Sequence, residues 1–197
     1  MNPEATFPRA TGTADVSVRP ARPEDAAEIA RIQVVTWRTA YRRLLPTAVL
    51  DDWDEDAATA TWRAAIASPP TPGHGVLVAL ERNTVAGFAA FGPAELAGGE
   101  PSDPAGPTAE VSTLLVEPRW GRRGHGSRLL AAMADVASGG GAGRLQVWLL
   151  EADAVSADFY ESAGWAPDGW ARTLDTGGAE PLREIRWHAL LGDAGTA

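Results

Sequence analysis

Glu110-Val111-Ser112-Thr113-Leu114-Leu115-Val116-Glu117-Pro118-Arg119-Trp120-Gly121-Arg122-Arg123-Gly124-His125-Gly126-Ser127-Arg128-Leu129-Leu130 decides how this chain is read. Glu110 to Val116 is rich in β-branched and apolar residues and predicts a strand buried on at least one side. Pro118 ends it. Trp120 to Ser127 holds three glycines and two arginines, a composition suited to a backbone that turns tightly and presents bare N–H groups. Leu129, Leu130, Met133, Val136 and Ala137 then recur at spacings of three and four, so a helix over Ser127 to Ala137 is expected to lay one apolar face on the sheet.

The first turn of a helix leaves amide donors unpaired and carries the positive end of the helix dipole, so an anion can settle there. Arg122 and Arg123 add two full charges. The residues read as a pyrophosphate cradle at the end of a strand, although a tight strand-to-helix connection explains Gly124 and Gly126 about as well. No Lys-Ser or Lys-Thr follows the last glycine, as a triphosphate P-loop needs. The acidic residue expected about 20 positions on in a dinucleotide fold is also missing.

The order Glu, strand, Val-x-Pro, then Arg-Arg-Gly-His-Gly-Ser-x-Leu-Leu resembles the acetyl-CoA-binding core of the GNAT superfamily of N-acyltransferases. A second block, Trp148-Leu149-Leu150-Glu151 followed by Ala157-Asp158-Phe159-Tyr160-Glu161-Ser162-Ala163-Gly164-Trp165, is similar to the later strand and helix of that family. The resemblance spans about Val16 to Leu191. It implies an α/β fold with a mixed, mostly antiparallel central sheet of about seven strands and flanking helices, in the order β-α-α-β-β-β-α-β-α-β-β.

Acetyl-CoA is the co-substrate that the resemblance implies. Its pantetheine arm would pair with backbone from Leu114 to Val116, where this strand and the Arg144 strand splay apart. Its diphosphate would meet Arg122, Arg123, Gly124, His125, Gly126 and Ser127. The family usually has Arg or Gln three residues before the first glycine of Gly-x-Gly, and here that place is Gly121, so Arg122 or Arg123 would have to serve. Asp153 stands where many members have Asn beside the coenzyme.

Amide formation needs a base, because an alkylammonium is neutral in roughly one molecule in a few thousand at pH 7. Glu110 is the candidate, directly or through water; its other reading is an exposed residue at a strand start. The thiolate that leaves needs a proton, and Tyr160 matches the family's general acid. A phenol near 10 is a weaker acid than a thiol near 8.5, so full transfer costs about 2 kcal/mol with unshifted values, and Tyr160 then mainly hydrogen-bonds the sulfur. Gln33, Trp37 and Tyr41 share a helical face. The resemblance puts Trp37 and Tyr41 on the acceptor wall, while each taken singly reads as a core aromatic.

Around these blocks, Val16 to Arg19 predicts a first strand, and Pro23-Glu24-Asp25 opens a helix to about Arg43. The acidic run Asp51 to Asp56 precedes a helix over Ala57 to Ala67. It reads as a cap and solvated face, or as a funnel for cationic amines. Gly75 to Glu81 and Val85 to Phe91 form a hairpin, and Gly92 to Thr108 is a long surface loop that runs straight into Glu110. Arg144 to Leu150 is the next strand. A helix capped by Asp153 should bury Val155, Phe159 and Ala163, and Trp170 to Asp175 and Arg183 to Leu190 close the sheet as a hairpin.

The chain has 197 residues, 45% of them apolar, and suits one domain over 16–191, between a disordered leader 1–15 and a tail 192–197. It has no cysteine, which excludes disulfides, thiolate metal sites and a cysteine nucleophile and fits a reducing cytoplasm. A net charge of −9 argues against nucleic acid. No apolar run approaches 18 residues, so no membrane partner is expected. The three scattered histidines suggest no metal. The expected partner is a small-molecule or protein amine, with homodimerisation left open. Two functions remain: an acetyl-CoA-dependent N-acetyltransferase acting by direct attack in a ternary complex, or a non-catalytic acetyl-CoA sensor on the same fold.

Overall fold

The computed structural model describes residues 16–40, 53–95, 106–175 and 181–192. Tyr41, the leader, the Gly177 turn and most of both the Gly92–Thr108 connection and the tail lie outside these residues. Seven strands form one sheet in the order β1-β2-β3-β4-β5-β7-β6. They are β1 (Val16–Pro20), β2 (Gly75–Glu81), β3 (Thr84–Pro93), β4 (Thr108–Val116), β5 (Arg144–Leu150), β6 (Ala166–Leu174) and β7 (Leu182–Leu190). Every neighbouring pair is antiparallel except β4 and β5. Parallel neighbours need a crossover, and here it is α3 (His125–Gly139), after α1 (Ala26–Ala40) and α2 (Glu55–Ala67) and before α4 (Ala154–Ser162).

Helices cover both faces. Ile29 and Ile32 of α1, with Trp62 and Ile66 of α2, pack on Val78, Phe88 and Leu115. Leu129, Leu130, Met133 and Ala137 of α3 pack on Leu77, Ala89, Val111 and Val147 across the other face. The helix starts two residues earlier than expected because Gly124, in the left-handed region at φ 80°, releases the chain directly into the first turn. Val136 is half exposed, so α3 buries a narrower stripe than the apolar spacing suggested. Among the described residues, no helix is long and apolar enough to cross a membrane.

A bulge in β4 positions everything that follows. Phe91 pairs with Val111 and Ala90 with Thr113, leaving Ser112 unpaired in the ladder while its hydroxyl donates to the Ala90 carbonyl at 3.0 Å. One extra residue swaps the faces of all residues beyond it. Ala109 and Val111 before the bulge, and Leu114 and Val116 after it, therefore pack on the same core, and Leu115 turns to the α1 side. Just past the end of the strand, Glu117 is buried against α1.

Arg31 Nη1 and Nη2 donate to Glu117 at 3.1 and 2.9 Å, and Arg119 Nε pairs with it at 2.9 Å. The Arg31 bonds first, with help from Arg119, hold the Glu117 carboxyl below its ordinary range against the opposing effect of burial. A carboxylate depressed on folding contributes stability that is complete above its unfolded value, near 4.3, and is lost as pH falls through the lower folded value. Arg31→Met should therefore lower Tm by roughly 3 °C at pH 7, the shift that about 1 kcal/mol gives in a chain of this length. The gap between variant and parent should close as pH falls below the unfolded value and through the lower folded one; a gap independent of pH would contradict this assignment.

Candidate active site

The turn from β4 into α3 is built around backbone rather than side chains. The first α3 ladder bond runs from Arg128 N–H to the Gly124 carbonyl at 3.1 Å, so the amides of His125, Gly126 and Ser127 precede the ladder and remain for an anion. A β-carbon at Gly124 would stand 2.6 Å from Arg128 Nη1, and one at Gly126 would stand 3.3 Å from the Phe159 ring. Both glycines therefore leave bare backbone that an anion could approach closely.

The two arginines of the turn differ. Arg122 is exposed at φ 61°, a left-handed conformation that costs a non-glycine residue about 1 kcal/mol. Arg123 lies 3.5 Å from Glu81 and 5.0 Å over the Trp120 ring. Arg128 donates to the Arg123 carbonyl at 3.1 Å and reaches back across the turn. The sequence reading missed Arg128, although its position one turn into the helix was a signal. His125 contributes an amide only, because its ring is buried beneath the turn.

Beside the turn, β4 and β5 pair from Thr108↔Arg144 to Val111↔Val147 and no further. Beyond that point the strands part, and a cleft of about 290 Å³ opens between Ser112–Leu115 and Val147–Leu150. The β4 edge facing the cleft has no strand partner among the described residues, so the backbone of Leu114, Leu115 and Val116 is available to an extended ligand. Trp37 of α1, Tyr160 and Ser156 of α4, and Asp153 close the cleft.

Glu110 lies two residues before the mouth. Its register partner across the parallel pair is Gln146, which is buried and whose Nε2 donates to Glu110 Oε2 at 2.7 Å. The carboxylate borders a cavity of about 490 Å³ with Pro93, Glu95, Trp148, Trp170 and Arg172, and a second of about 280 Å³ with Trp62, His74 and Ser112. A largely apolar cavity of about 340 Å³ near Ile66 and Val136 adjoins the second of these through His74 and Pro93 and carries no acid or base beyond His74.

The profile of the acetyltransferase (GNAT) family matches residues 28–165, a span holding the anion turn, the splayed strands, Glu110 and Tyr160. The chain belongs to the GNAT acetyltransferase family. An uncharacterized N-acetyltransferase of Bacillus subtilis (strain 168), YuaI, is 30% identical to this GNAT enzyme over 148 residues, covering 75% of this chain and 78% of its own. A putative acetyltransferase from Salmonella typhimurium, yncA, solved with acetyl-CoA, matches with TM-score 0.65 at 21% identity, over 93% of this chain and 98% of its own. The PaiA N-acetyltransferase of Thermoplasma acidophilum, solved with coenzyme A, matches with TM-score 0.66 at 15% identity, over 90% and 99%. At these identities the solved structures speak for the shared fold.

Within this GNAT fold the expected residues around the cleft also make structural contacts. Asp153 caps α4, accepting from Ser156 N at 3.1 Å and Ser156 Oγ at 2.6 Å, so both of its oxygens serve the helix at the wall of the cleft. Tyr160 is buried, its ring 5.2 Å from Phe159 and 5.0 Å from Trp165, whereas Val155 is 81% exposed. The inward face of α4 is thus rotated towards Ser156 and Tyr160, not centred on Val155. Trp37 stacks edge-on to Trp53 at 5.2 Å and lines the cleft, while Gln33 accepts from Trp62 Nε1 at 2.7 Å and ties α1 to α2. Asp54 caps α2 through Ala57 N at 2.9 Å, as the capping reading of the acidic run expected.

The β6 wall of the Glu110 cavity was not foreseen. Register between β6 and β7 moves from Pro167↔Trp187 to Ala171↔Ile185, so β6 carries two extra residues there, and Gly169 turns at φ 91°. This bulge sets the Asp168 carboxylate against both Arg144 and Arg186. Arg172 lies 4.4 Å over Trp148, and Arg186 lies 5.2 Å over Trp170. A pattern-based reading begins this strand only at Trp170, because Pro167 and the bulge interrupt the alternation. Among the described residues, no group of three or more His, Cys, Asp or Glu side chains could hold a metal ion.

Proposed function

We propose that this GNAT acetyltransferase moves the acetyl group of acetyl-CoA to a primary amine by direct attack, with both substrates bound together. The observation that carries the reading is the β4–β5 cleft, which opens between the anion turn on one side and the Glu110 cavity on the other. An extended thioester lying in that cleft would have its phosphate end at Gly124–Ser127 and its acyl end beside Glu110. Bound there, acetyl-CoA supplies an activated acyl group.

The chain's own residues do the rest. The amides of His125, Gly126 and Ser127, with Arg122 and Arg128, hold the diphosphate, and the free β4 edge aligns the arm as an added strand. Glu110, oriented by Gln146, takes the proton from the incoming ammonium directly or through water. A β4 amide near Leu115 faces charge that develops on the carbonyl oxygen. Tyr160, held rigidly between Phe159 and Trp165, keeps a hydroxyl proton at the cleft for the departing sulfur. Holding the two reactants together supplies much of the rate. The acceptor enters through the cavity lined by Glu95, Trp148, Trp170 and Arg172, where the Glu95 and Glu110 carboxylates suit a cationic amine and the indoles suit an apolar body that carries it.

Incubation with acetyl-CoA and a panel of amines, including polyamines, arylalkylamines, amino-acid amides and peptide N-termini, tests the reading by mass spectrometry of the products. Acetylated product from a cationic amine is expected. Tight coenzyme binding with no product across the panel would favour a sensor and remove the enzymatic proposal.

A further inference from the structure

His125 lies under the anion turn, not on it. It is the first residue of α3, and its ring is 1% exposed, with Nε2 2.9 Å from Glu81 Oε2 at the end of β2. An ionised carboxylate only accepts, so Nε2 carries the hydrogen and donates. Glu81 Oε1 lies 3.5 Å from Arg123 Nη1. Trp120 completes the group, with Arg123 over its ring and the His125 ring edge-on at 6.5 Å.

Arg123 and His125 flank Gly124, which has no side chain and a positive φ. Glycine gives the turn its shape but nothing to hold it. One carboxylate from a different strand grips the residue on each side. His125 Nδ1 is buried without a hydrogen-bond partner, a penalty an aliphatic residue would avoid. The bond at Nε2 is therefore what distinguishes histidine here from an apolar plug.

We propose that Glu81 and His125 are a positioning pair that clamps the anion turn in its binding geometry. Arg123 serves as the second arm of the clamp, which leaves Arg122 and Arg128 as the guanidiniums for phosphate. The inference rests on the reading that this turn takes the diphosphate of acetyl-CoA. It makes a prediction opposite in sign to simple charge counting. Glu81 is an anion beneath an anion site, so by charge alone Glu81→Gln would tighten coenzyme binding; loss of the clamp weakens it.

The test measures coenzyme A affinity by calorimetry for the parent, Glu81→Gln and His125→Leu, together with Tm. Kinetics follow with an amine taken from the panel. Both variants should bind coenzyme A about tenfold more weakly, below the roughly hundredfold cost of a 1 Å misplacement. For Glu81→Gln the acetyl-CoA KM should rise alike, kcat should stay within about twofold and Tm should be nearly unchanged, a split that a general packing defect does not produce. Glu81→Gln is isosteric and partly exposed, so it reports even if His125→Leu folds poorly. Unchanged or tighter binding by Glu81→Gln would overturn the clamp and leave the coenzyme site standing, as would a fall in kcat that tracks Tm. A parent protein that ignores coenzyme A would overturn both.

Discussion

Glu110→Gln should lower kcat for amine acetylation by roughly 10²–10⁴-fold, the range for removing a positioned general base, and leave coenzyme A affinity within about twofold. Glutamine keeps the size of the side chain and an oxygen that Gln146 Nε2 can reach, so the 2.7 Å contact has a substitute and the strand should keep its register. The variant loses only the ability to take a proton from the ammonium. Its residual rate should climb with pH towards the acceptor's own pKa, near 10 for an alkylamine, because free amine then no longer needs the base. Measured pH–rate profiles of parent and variant should therefore converge at high pH. A variant as fast as the parent at neutral pH would remove Glu110 from the chemistry.

The second large effect is expected at the turn. Gly124→Val puts a β-branched residue at φ 80°, where such residues are true outliers, and its β-carbon would meet Arg128 Nη1 at 2.6 Å. Either the turn opens or the arginine leaves, and both disperse the amides that grip phosphate. Coenzyme A affinity should fall by about a hundredfold, equivalent to roughly 3 kcal/mol. Gly124 is exposed and lies outside both cores, so Tm should fall by only a few degrees, roughly the cost of one strained residue. Retained affinity, measured by calorimetry on the folded variant, would mean that the phosphates bind elsewhere.

Local pattern carried much of this fold. The apolar run of β4, the glycine turn and the spacing of Leu129, Leu130 and Met133 specify a strand-turn-helix unit, and Phe159-Tyr160 before Gly164 marks α4. Features that arise between elements were harder to read. Ser112 looks like any strand residue, and only pairing with β3 reveals it as the bulge that swaps faces beyond it. The splay of β4 from β5 depends on where pairing stops, at Val111↔Val147, and no residue type encodes that end.

Side-chain roles showed the same division. Glycine spacing located the anion turn, whereas the separate parts of Arg122 and Arg123 depend on Glu81, some 40 positions earlier in the chain. Gln146 reads as one polar residue in an apolar strand until parallel pairing sets it beside Glu110. Helical counting placed Val155 inward, but the helix is rolled by the packing of Tyr160 against Trp165 and by the Asp153 cap. The Asp168 cluster was hidden by a proline and a bulge in β6.

In the proposed mechanism one extended coenzyme runs from the amides of Gly124–Ser127 along the unpaired edge of β4 to Glu110. A crystal structure of the protein with coenzyme A tests it most directly. The diphosphate should lie within hydrogen-bond distance of those amides, and the pantetheine arm should pair with the backbone of Leu114–Val116 between β4 and β5. Diphosphate bound away from this turn, or a β4–β5 cleft left empty at saturating coenzyme, would contradict it.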